Sequence, residues 1–67
     1  MDIGQKCKIN EDTRIYKITD YWQEKKIKSE TKNSIEYEIK NFVNLEEINN
    51  PQNIKTKIST VNIYTVE

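Results

Sequence analysis

The chain has no histidine and no alanine, and it carries single copies of leucine, glycine, proline, cysteine and tryptophan among its 67 residues. Without histidine there is no Ser-His or Cys-His nucleophile pair, no imidazole acid–base group and no His-ligated zinc. One cysteine, Cys7, permits neither an intrachain disulfide nor a thiolate metal site within one chain. A lone Gly4 gives no glycine-rich loop to cradle a phosphate. No apolar run approaches the ~18 residues that a membrane helix needs, and the polar start Met-Asp-Ile-Gly-Gln-Lys has no signal-peptide core. The expectation is a cytoplasmic protein without metal or cofactor.

Charge of one sign is also lacking, since eleven basic residues balance eleven acidic ones. Nucleic-acid-binding domains tend to be strongly basic, so whole-chain charge does not favour that class. Carboxylates are the remaining enzymatic hint. Glu36 and Glu38 would lie roughly 7 Å apart on one strand face, but Lys40 follows them on what reads as a solvated side. Exposed carboxylates have little catalytic leverage. An enzyme is not expected.

What is present points to strands. Eleven Ile, three Val and six Thr favour a pleated, half-buried backbone, while the best helix formers are scarce. In Ser34–Lys40 the apolar Ile35, Tyr37 and Ile39 alternate strictly with Glu36, Glu38 and Lys40, the period-2 mark of a strand. Gln5–Ile9 alternates with Cys7 inward, which makes Cys7 a small core residue rather than a reactive thiol. Asn10-Glu11-Asp12 reads as a turn, Arg14–Ile18 as the next strand, and Ile54–Ile58 and Val61–Val66 as the last two. Asn44-Leu45-Glu46-Glu47 fits a helix cap with a box partner, and Pro51 closes it, predicting a short helical turn near residues 45–50.

The core expected from this pattern draws on Ile3, Ile9, Ile15, Ile18, Trp22, Ile27, Ile35, Tyr37, Ile39, Phe42, Val43, Leu45, Ile48, Ile54, Ile58, Val61, Ile63 and Val66. That volume suffices for one small domain but not for one that also encloses a sizeable pocket. The predicted fold is mostly β: a single-domain antiparallel β-barrel over residues 1–67, with five to six short strands and one helical turn. In architecture it resembles an SH3-like barrel, from its G-x-x-C-x-I first strand, central hairpins, short helical turn and final strand. The resemblance carries no binding residues, because the acidic loop and paired aromatics of peptide-binding SH3 domains have no counterpart here. An OB-like barrel and a helix-backed sheet fit the same pattern.

Function is sought on the surface. Thr19–Glu30, TDYWQEKKIKSE, holds the only tryptophan beside a knot of lysines. Read as a strand continuing from Tyr16 and Ile18, it puts Trp22 on their face, with Asp20 marking a bend or bulge at the Thr19–Asp20 step, after which a second strand runs through Ile27 to a turn near residues 30–33. Trp22 then belongs to the core, while Tyr21, Lys25, Lys26 and Lys28 face outward. Tyr16, Tyr21, Trp22, Lys25, Lys26, Lys28 and Tyr64 form the candidate binding set, because tyrosine and tryptophan concentrate at interface hot spots. The favoured reading is a non-enzymatic protein-interaction domain, such as an accessory or inhibitory protein of a phage, plasmid or other mobile element. Its partner would be another protein, with self-association through an edge strand as a further route. The alternative is a nucleic-acid-binding barrel that stacks bases on Tyr and Trp beside a lysine patch.

Overall fold

The computed structural model describes residues 1–66. Five antiparallel strands form one sheet: β1 (Lys6–Ile9), β2 (Tyr16–Glu30), β3 (Ile35–Glu47), β4 (Asn50–Ser59) and β5 (Ile63–Thr65), in the order β4-β3-β2-β1-β5. The sheet is not closed into a barrel, because its outer strands β4 and β5 share no ladder. A 3₁₀ turn, Thr60–Asn62, carries the chain from one to the other. No helix among the described residues is long and apolar enough to cross a membrane.

Two long strands dominate. The expected bend after Ile18 is a β-bulge that does not end the strand, so β2 runs unbroken for fifteen residues. Thr19 is the extra residue, and its hydroxyl reaches the Asn44 carbonyl at 3.2 Å. Before the bulge β2 is held by β1 and by the segment just ahead of it, with the Ile18 amide donating to the Gln5 carbonyl at 3.0 Å and the Gly4 amide to the Ile18 carbonyl at 2.7 Å. Gly4 has φ +89°, a conformation that a residue with a side chain rarely adopts. Beyond the bulge only β3 remains beside β2.

The helical turn expected near residues 45–50 does not form. Residues 44–47 complete β3, and Ile48-Asn49 make a tight turn into β4, where Glu47 pairs with Asn50. The side chains that suggested a cap bond across strands instead. Asn44 Oδ1 accepts from the Lys57 amide at 3.0 Å, and its Nδ2 donates to Asp20 at 3.0 Å. Glu47 accepts from Asn53 at 3.0 Å. Pro51 is tolerated because β4 is an edge strand, where a missing N–H breaks no ladder bond.

The core is smaller than the apolar content suggests. Cys7, Tyr16, Ile18, Val43, Leu45 and Ile63 are buried together, with Ile9 and Ile58 packed against them. These residues sit at one end of a molecule measuring 52 × 19 × 18 Å. Cys7 is buried as expected, and burial pushes its thiol pKa up, which disfavours the reactive thiolate. By contrast Ile3, Ile15, Ile27, Ile35, Tyr37, Ile39, Ile48, Ile54 and Val61 are exposed. Alternation identifies which face a residue takes but not whether anything covers that face.

Candidate protein-interaction surface

The elongation comes from the β2–β3 hairpin. β4 reaches only as far along β3 as Phe42, and β1 pairs with β2 only at Tyr16 and Lys17. Past these points the ribbon runs alone through Gln23–Asn41, Lys25–Ile39 and Ile27–Tyr37 to Glu30–Ile35. At roughly 3.3 Å per residue the free arm projects about 25 Å. A polar tip closes it, where the Thr31 amide donates to the Ser34 carbonyl at 2.8 Å and the Ser34 amide to Thr31 Oγ1 at 3.1 Å.

The arm's two faces differ in chemistry. Residues of β3 that share a face with buried Leu45 and Val43 are, by alternation, Asn41, Ile39, Tyr37 and Ile35. Opposite them on β2 stand Tyr21, Gln23, Lys25, Ile27 and Glu30. The dry face of the core therefore continues along the arm without a change of phase, but nothing covers it there. Ile27 is 58% exposed, Ile35 45%, Tyr37 50% and Ile39 59%. Lys25 lies over the Tyr37 ring, 3.9 Å from its centroid, and the Tyr21 hydroxyl donates to Asn41 Oδ1 at 3.3 Å.

The reverse face is polar, with charges of opposite sign facing each other across the strands. Glu24 stands opposite Lys40 and Lys26 opposite Glu38, cross-strand pairs of unlike charge that support a ladder. At its foot Trp22 packs on Phe42 with ring centroids 6.0 Å apart. The Trp22 indole donates to Glu24 at 3.0 Å and Lys57 meets the same carboxylate at 3.2 Å. The indole hydrogen bond, followed by the Lys57 contacts, lowers the Glu24 pKa.

The structure thus distributes the sequence-predicted residues over several places. Tyr16 is fully buried, and its hydroxyl donates to Asp12 at 2.9 Å, so it offers no surface. Trp22 is not in the core. The Thr19 bulge reverses the phase of β2, so Trp22 takes the reverse face and Tyr21 the core-side face, opposite to expectation. Lys25 lies on the apolar face, Lys26 on the charged one, and Lys28 at a second bulge near the tip. Tyr64 is distant in register from the arm residues, opposite Lys8 on the outer side of β1 and β5. The side chains that the sequence assigned to the core, Ile27, Ile35, Tyr37 and Ile39, are the ones presented to solvent.

Two other surfaces have defined chemistry. On the outer side of β1, Lys6 stands directly opposite Lys17, and Lys8 opposite Tyr64, while Lys17 reaches Glu46 at 3.3 Å. Near the β1–β2 turn, Asp12 accepts from the Arg14 amide, Arg14 Nε, Arg14 Nη2 and the Tyr16 hydroxyl, all at 2.9–3.0 Å. These bonds, Arg14's side-chain ones foremost, hold the Asp12 carboxyl well below the usual carboxylate range. An open hollow of ≈ 570 Å³ beside this cluster is lined by Ile9, Asp12, Arg14, Lys55 and Ile58 among others. Both Asp12 carboxylate oxygens are engaged within the chain, which makes the cluster a structural clasp.

Comparison with protein-family models, with curated proteins and with solved structures finds no match. The chain's chemistry must therefore be read from its own geometry.

Proposed function

We propose that the chain is a non-enzymatic protein-interaction domain, an SH3-like half-barrel that displays a β-hairpin arm as its contact element. The strand order and the 3₁₀ connection between β4 and β5 support the SH3-like reading. One observation carries the functional reading: the core-side face continues onto the arm as an uncovered stripe of Ile27, Ile35, Tyr37 and Ile39. Exposed apolar patches of this kind mark interaction sites more often than scattered single residues do. Lys25 and Tyr21 border the stripe and supply the polar rim. An accessory or inhibitory protein of a mobile element, acting by occluding a partner, fits such a module.

Site-specific photo-crosslinking tests this directly. A photoreactive phenylalanine analogue in place of Tyr37 is expected to crosslink to protein in cells, whereas one in place of Tyr64 is not. Crosslinks from position 64 alone would overturn the assignment.

The nucleic-acid reading has its own supporting observation, the outer face of β1, where Lys8 stands opposite Tyr64 and Lys6 opposite Lys17. Unopposed cations would draw phosphate, but Glu46 already engages Lys17. A mobility shift of single-stranded DNA at low salt, abolished by Lys6→Glu with Lys8→Glu, would favour this second reading over the first.

A further inference from the structure

We infer that the partner of the arm's apolar face is a second copy of the same chain, packed face to face with the two arms antiparallel. This rests on the arm being the contact surface, and it adds the identity of the occupant.

The argument is the order of residues along the face. Three cross-strand pairs make it up: Lys25–Ile39 nearest the core, Ile27–Tyr37 in the middle and Glu30–Ile35 nearest the tip. A two-fold axis lying between the faces, across the strands at the level of Ile27 and Tyr37, superposes this order on its own reverse. Lys25 of each copy then faces Glu30 of the other, twice per dimer. Ile39 faces Ile35, and Ile27 and Tyr37 each face their own counterpart. The polar tip, Thr31–Ser34, falls over polar Gln23 and Asn41. A closed two-fold contact requires one patch that is complementary to itself, and this patch has a cation at one end, an anion at the other and apolar residues between. Neither Lys25 nor Glu30 has an ion-pair partner among the described residues, though Lys25 rests on its own chain's Tyr37 ring and exchanges that contact for Glu30 of the other copy.

Area and the remaining surfaces agree. Ile27, Ile35, Tyr37 and Ile39 expose roughly 400 Å² together, the size at which a patch on a monomer is commonly functional. Two such patches, with Tyr21, Lys25 and Glu30 at their margins, approach the low end of specific interfaces, ~1,200 Å² in total. A hollow of ≈ 400 Å³ at the foot of the arm runs along the β3 edge and is lined from both faces, by Ile39 and Asn41 on one and by Glu38, Lys40 and Phe42 on the other, so it does not bear on this packing. Association through the outer strands of the sheet is obstructed, whereas the arm's own β2 and β3 edges are open. β5 is only three residues long, and β4 carries Pro51, Lys55 and a Lys57 held at φ 51°. Packing through the reverse face would bury Glu24, Lys26, Glu38 and Lys40.

Sedimentation equilibrium of the full chain provides the test. The expected result is a monomer–dimer equilibrium with a dissociation constant of about 10–100 μM, weakened at least tenfold by Ile39→Lys. Lys25→Glu alone and Glu30→Lys alone each create two like-charge contacts and should weaken the dimer about fivefold or more. An equimolar mixture of these two variants should dimerise as the wild type does, because the heterodimer has both contacts restored. Circular dichroism of each variant separates loss of association from loss of fold. A wild type that stays monomeric at millimolar concentration, or a mixture no better than its components, overturns the self-association. If position-37 crosslinking then still captures a different protein, the interaction reading survives without the dimer; if it captures nothing, both fail.

Discussion

Asp12 shows how much a single side chain can organise on a chain of this size. Its carboxylate gathers Arg14 and Tyr16, and Arg14 extends the contact toward Glu47 at 3.9 Å. The β1–β2 turn is thereby tied to the start of β2 and the end of β3. Because the folded pKa of Asp12 is depressed, its contribution is present above the ordinary carboxylate titration near pH ~3.9 and is lost as pH falls toward the folded value. Asp12→Asn should therefore lower Tm at pH 7, and the gap to wild type should close between about pH 4 and pH 2. A gap independent of pH would refute this role. Trp22 gives the second residue-scale expectation. It is half-buried on the reverse face, so Trp22→Ala should cost about 1–2 kcal/mol, whereas Leu45→Ala, in the sealed core, should cost about 3 kcal/mol or prevent folding. Urea titration of the two variants decides, and equal losses would return Trp22 to the core.

At the scale of elements, the arm is a two-stranded ribbon with neither edge covered. Isolated hairpins are marginal in water, so the arm depends on its root, its unlike-charge ladder and the Lys25–Tyr37 contact. Amide exchange in dilute protein should be fast for residues 24–29 and 36–40 and slow for 16–18 and 43–46. Uniform protection along β2 would mean that the arm is not free in the monomer. The strands were legible in part: Ile35, Tyr37 and Ile39 against Glu36, Glu38 and Lys40 announced the first half of β3, and Asp20 marked an irregularity, although the expected bend between two strands is a bulge within one continuous β2. The direction of Trp22 was not, because one inserted residue reverses every side chain after it. The Asn44–Pro51 turn misled for another reason. Asn and Glu satisfy a helix end or a neighbouring strand equally well, and Leu45 opposite Ile18 in the core decided for the strand.

For the whole molecule, the division is between a compact end that holds the buried residues and an arm that holds exposed ones of the same chemistry. The apolar alternation could not reveal this division, since Leu45 and Ile39 lie on one continuous face of β3 and differ only in whether β1, β4 and β5 reach far enough to enclose them. An uncovered face of that kind costs solubility unless something occupies it. Isoleucine methyl spectra recorded over a dilution series test the central claim most directly, because the eleven isoleucines sample both ends of the molecule. The expected result is that the methyls of Ile27, Ile35 and Ile39 shift with concentration while those of Ile18 and Ile63 do not, and that Ile39→Lys abolishes the shifts. Concentration-dependent shifts at Ile15 and Ile48 near the lysines of β1, with the arm methyls unmoved, would contradict it.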